Sequence, residues 1–75
     1  MNLRLTKVFQ RAPEGGFIAF VEELPGANAQ GDTLDEAKSN LEESIELVFE
    51  ANRALSEELI AGQEVIREAV SLSAA

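Results

Sequence analysis

The side chains in this sequence that could do chemistry are nearly all carboxylates. Fourteen Asp and Glu stand against six Lys and Arg, for a formal net charge of −8, and there is neither His nor Cys. Covalent and general acid–base catalysis needs a nucleophile and a base held within hydrogen-bond reach. No such pair is legible here, so no catalytic residue is expected. The same deficit removes the usual soft ligands of zinc, and it removes any disulfide. Neither a metal nor a cofactor is expected. Gly15, Gly16, Gly26 and Gly31 lack phosphate-loop spacing and have no basic residue behind them, so they read as turn residues. A nucleic-acid binder carries a basic footprint, and this chain has the opposite sign; direct binding to DNA or RNA is not expected.

The carboxylates do have a pattern. At 100° per residue from Leu34, Asp35, Glu36, Glu42, Glu43, Glu46 and Glu50 fall within one helical sector of roughly 120°. Only Lys38 lies near its edge. Glu42–Glu46 and Glu46–Glu50 are like charges four apart, each costing a few tenths of a kcal/mol. Two readings stay open. The stripe is a solvated face that aids solubility, or it is complementary to a basic partner, where opposite potentials steer association. In the second reading Glu42, Glu43, Glu46 and Glu50 carry the contact, with Leu47 on the same polar side as an apolar anchor.

The elements that must position this stripe can be read in order. Leu3, Leu5 and Phe9 alternate with Arg4, Thr6 and Gln10, with Lys7 on the apolar side and Val8 on the polar one. This predicts an antiparallel strand over residues 3–11. Pro13-Glu14-Gly15-Gly16 is turn chemistry. The run Phe17-Ile18-Ala19-Phe20-Val21 predicts a second strand, apolar on both sides, so both sheet faces should be covered. One face can take the helix. A second subunit is expected on the other, through Phe17, Ile18 and Phe20. Leu24-Pro25-Gly26 predicts a tight turn with Pro25 at its first central position and Gly26 where φ is positive. A short strand over Asn28-Ala29-Gln30 precedes Gly31.

Helix entry is signalled by a Thr33-x-x-Glu36 capping box, with Asp32 as the rival cap. Leu34, Ala37, Leu41, Ile45, Val48 and Phe49 form one apolar stripe, and the helix is expected to run to about Arg53. Residues 55–63 read equally as helix or loop, with Gly62 as a stop. Ile66, Val70 and Leu72 alternate with Arg67, Ala69 and Ser71, which predicts a last strand over residues 64–73.

The blocks Leu24-Pro25-Gly26, Gln30-Gly31-Asp32-Thr33 and Glu36-Ala37, behind the apolar run 17–21, resemble the N-terminal domain of the HicB-type antitoxin family. The resemblance covers roughly residues 3–49. It implies an α+β fold of order β-β-β-α-β, an antiparallel sheet with one long helix on one face, described for that family as a partial ribonuclease-H-like domain. It implies dimers or tetramers. It also implies a role: binding a small basic mRNA-cleaving toxin, HicA, and blocking it by occlusion. Family members often have Pro where this sequence has Glu22, and commonly Cys where it has Ala27. They usually add a C-terminal DNA-binding domain, for which there is no room before Ala75.

The ribonuclease-H-like association raises Glu22, Glu23 and Asp32 as magnesium ligands. Glu22 and Glu23 are adjacent at a strand end and point to opposite faces, and Asp32 is explained as a helix cap. With 75 residues the chain is read as a single domain whose small core is completed by homo-oligomerisation. Residues 1–5 do not read as a signal peptide, and the longest apolar run is far short of a membrane span. A cytoplasmic location is expected.

Overall fold

A computed structural model describes residues 4–70. The strands β1 (Lys7–Arg11), β2 (Phe17–Val21) and β3 (Asn28–Gly31) form one antiparallel sheet in the order β1-β2-β3, and α1 (Leu34–Ile60) follows. The β-β-β-α part of the expected order is thus present. The last strand is not. Residues 64–70 have no regular secondary structure, and the remainder of that expected strand lies outside the described residues. Its alternating pattern finds no strand partner there. The tail is tied instead to the helix end, where Arg67 Nη1 and Nη2 donate to Glu57 Oε1 and Oε2 at 2.8 and 3.1 Å.

Register assigns the faces. Lys7, Phe9 and Arg11 stand opposite Val21, Ala19 and Phe17 on the helix side, while Val8 and Gln10 stand opposite Phe20 and Ile18 on the other. The core is small: Ala19, Val21 and Ala27 from the sheet side meet Ala37 and Leu41 from the helix, and Leu41 is the one large side chain fully buried among the described residues. β1 is shorter than its pattern suggests, although Thr6 C=O still accepts from Glu22 N–H at 3.0 Å.

The turns form as their residues dictate. Ala27 N–H donates to Leu24 C=O at 3.1 Å around Pro25, with Gly26 at φ +93°, the positive value a type II turn requires there. Thr33 caps the helix: its Oγ1 accepts from Glu36 N–H at 3.1 Å. Glu36 Oε2 reaches back to Asp32 N–H at 2.8 Å, so Asp32 serves through its backbone and not as the cap.

The helix passes the expected end at Arg53 and reaches Ile60, because Ala54, Leu55, Glu57, Glu58 and Leu59 are good helix formers and no breaker intervenes before Gly62. It stops as Gly62 takes φ +76° and Gln63 N–H bonds back to Ile60 C=O at 3.0 Å.

Two backbone groups of β3 are bonded by helix side chains. Asn28 N–H donates to Ser44 Oγ at 3.1 Å, and Gln30 C=O accepts from Asn40 Nδ2 at 2.8 Å. Together with Lys7 Nζ to Glu42 Oε1 at 3.3 Å, these bonds lay the first four turns of α1 along the sheet and set its rotation. Val48 is the last helix residue packed against the core. The remaining twelve residues project roughly 18 Å past it.

Candidate functional site

Fixing Asn40 and Ser44 on β3 and Glu42 beside β1 turns the acidic sector of α1 to solvent. Asp35, Glu36, Glu42, Glu43, Glu46 and Glu50 are all exposed. Glu36 is engaged in the cap and Glu42 with Lys7, a surface pair screened by water and worth little. Among the described residues Glu43, Glu46 and Glu50 form no ion pair. They lie along one side of the helix over about 10 Å.

At the far end of this row, Glu46, Glu50, Phe49 and Arg53 line a shallow depression of about 300 Å³. Phe49 corrects the expected apolar stripe: it is 51% exposed and belongs to this surface, because it lies about 80° round the helix from Leu41, away from the sheet, while its neighbour Val48 packs on the core. Leu34, also placed on that stripe, is likewise exposed, as the first residue of the helix. Leu47 is 63% exposed on the polar side, where its position on the helical wheel puts it.

The three residues expected at a subunit interface do not share one face. Phe17 points to the helix side, packs against the core and carries the Arg11 guanidinium 5.3 Å above its ring. Ile18 and Phe20 point the other way and, with Val8 beside Phe20, form an apolar patch on the open face of the sheet. Ile18 is 42% exposed there. The strict alternation of a strand separates neighbours in sequence, which a two-sided apolar run conceals.

The acids raised as metal ligands are not brought together. Among the described residues no group of three or more His, Cys, Asp or Glu could hold an ion. Both oxygens of Glu23 are occupied by Thr6, Oε2 by its hydroxyl and Oε1 by its N–H, each at 2.6 Å. The hydroxyl bond first, and the backbone bond with it, hold the Glu23 carboxyl below the usual carboxylate range. Asp32 lines a polar depression of about 420 Å³ with Glu36 and Asn40, whose polar groups are already spent on the cap and on Gln30 C=O.

The chain is therefore an α+β domain with an acidic helix face, an apolar sheet face and a projecting helix. Its relatives agree on a family. It is 43% identical over 65 residues to a UPF0150 protein of Synechocystis sp., a match spanning 80% of this chain and 90% of that protein. It is 41% identical over 46 residues to a second UPF0150 protein of the same organism, covering 61% of this chain and 58% of that one. The chain belongs to the UPF0150 family. No family model matches the sequence, and no solved structure matches it. No helix of the described residues is long and apolar enough to cross a membrane.

Proposed function

We propose that this UPF0150 chain is an antitoxin-type binding protein that sequesters a small basic mRNA-cleaving toxin in the cytoplasm, in the manner of HicB-like proteins. The observation that carries the reading is the row Glu43, Glu46 and Glu50, exposed and in no ion pair among the described residues, on a helix whose rotation is set by its bonds to β3 and β1. A helix serving its own stability alone would place Lys at some of these positions. A ribonuclease must carry positive charge to hold phosphates, so this row is complementary to it. The role is binding and occlusion rather than catalysis, and the protein itself does not bind nucleic acid.

The open patch Val8, Ile18 and Phe20 favours homo-oligomerisation of the same domain through its sheet. It also supports a second reading, an orphan oligomeric domain of structural or regulatory role with no toxin partner. A small basic protein encoded beside this one would separate the two.

Stopped-flow association with that protein tests the proposal. Reversing Glu43→Lys and Glu46→Lys takes the net charge from −8 to −4, since each reversal adds two positive units. Association is expected to slow and its dependence on ionic strength to flatten, because charges at the rim of an interface act on the on-rate. Thermal unfolding should hardly change, since the reversals also remove like-charge repulsion. Association that is unchanged and insensitive to salt would leave the row a solvated face.

A further inference from the structure

From Leu47 onward the helix carries an apolar row that nothing among the described residues covers. Leu47, Ala51, Leu55 and Leu59 recur every four residues and so form one continuous ridge on the helix surface. The three leucines are 63%, 58% and 71% exposed, and Ala51 is exposed between them. Residues 64–70 of the tail do not shield them. Its Arg67 is held by Glu57, which lies roughly 140° round the helix from the middle of the ridge.

Charge is segregated about the same row. Between Leu47 and Leu59, Glu58 is the one ionisable residue on the half of the helix surface centred on the ridge, whereas Glu50, Arg53 and Glu57 all lie on the opposite half. In a chain of net charge −8 this is the surface against which a second equally acidic molecule can approach.

We infer that this ridge is a two-fold interface with a second copy of the chain, distinct from the open sheet face and independent of the antitoxin reading. Rows spaced by four residues interdigitate when two helices cross at about −50°. A two-fold axis at Ala51 brings the two backbones closest at the one small residue of the row and sets Leu47 of each copy against Leu55 of the other, so the surface is self-complementary as an isologous contact must be. The size also fits. A stable interface takes about a tenth of a small protein's surface, and a tenth of this chain's 6254 Å² is roughly 600 Å². Three leucines contribute on the order of 100 Å² each, and the exposed Ala51 and Ala54 with the flanking side-chain stems of the helix add the remainder. A basic partner is the poorer occupant, because the ridge offers it one carboxylate. Depletion of charge at the centre of a contact is the mark of an apolar interface. With the sheet patch as a second two-fold contact, closed pairing of the two kinds gives a tetramer.

The test uses the full chain, which has no cysteine of its own. Ala51→Cys should cross-link into a disulfide-bonded dimer under mild oxidation, because Cα atoms at the crossing come within the roughly 4.4–6.8 Å a disulfide spans. Arg53→Cys, two residues away on the far side of the same projecting helix, should not. In sedimentation the double variant Leu47→Gln, Leu55→Gln should raise the dimer dissociation constant at least about tenfold. Helix content should be unchanged, since both side chains are exposed in the single chain. Self-association of the double variant equal to wild type overturns the inference, as does cross-linking no faster at Ala51→Cys than at Arg53→Cys. If the double variant associates with itself normally but loses a basic partner, the ridge belongs to that partner and the inference fails. Phe20→Ser should leave the Ala51→Cys cross-link intact, which separates this contact from the sheet face.

Discussion

Replacing Gly31 by Ala should destabilise the domain far more than one methyl group suggests. Gly31 ends β3, three residues before α1 begins, and the chain must reverse there with the helix start pressed against the strand. A Cβ at this position would lie 2.5 Å from Ala37 N, 2.7 Å from Glu36 Cβ and 2.9 Å from the Glu36 carbonyl carbon. Two of those neighbours are helix backbone, so relief requires moving the helix start by something approaching 1 Å. That movement pulls on the Thr33–Glu36 cap and on Ala37 and Leu41, which belong to the buried core. Overpacking of this kind costs about 1–3 kcal/mol. A domain of this size has about 4–11 kcal/mol in total at the usual 0.05–0.15 kcal/mol per residue. For so small a chain each kcal/mol moves the melting temperature about 4–8 °C, so a loss of roughly 5–20 °C is expected. Thermal unfolding followed by circular dichroism, at one fixed protein concentration because assembly contributes by mass action, measures it. Gly15→Ala is the control: it meets nothing within 4 Å and pays only for its positive φ. If Gly31→Ala melts within a degree or two of wild type, the helix start is not seated on β3 as described.

Thr33→Ala should cost about 0.5–2 kcal/mol through loss of the cap, and Thr33→Ser much less; denaturant midpoints compare the two. The Thr6–Glu23 tie should give a pH dependence of definite sign. Because the folded carboxyl titrates below its unfolded value, the contribution is fully present above the ordinary glutamate pKa and is lost as pH falls through the lowered one. Wild type and Glu23→Gln should therefore differ in melting temperature at neutral pH and converge as pH falls through and below the ordinary glutamate range; a constant gap across that range would remove the carboxylate from the account.

What the sequence determined by itself was local. Pro25 and Gly26 specify a turn through fixed and positive φ. Thr33 and Glu36 specify a helix start through the bonds their side chains offer to orphan N–H groups. The 100° spacing of the carboxylates puts them in one sector of any helix that forms. None of these needs a distant residue, and each is present in the structure. Tertiary placement decided the rest. Phe49 shares a helical period with Leu41, but the side of the helix on which the sheet lies determines which of them has something to pack against. Phe17 and Ile18 are equally apolar, and the register with β1 and β3 sends one to the core and leaves the other on the open face. The tail at 64–70 has the alternation of a strand, yet a strand forms only where the chain lies beside another, and the projecting helix holds this tail at its own end, through Arg67 and Glu57, rather than at an edge of the sheet. Leu55 and Leu59 continue the periodicity of the buried stripe past the end of the sheet. Periodicity is a property of the helix alone, whereas burial belongs to whatever lies beside it.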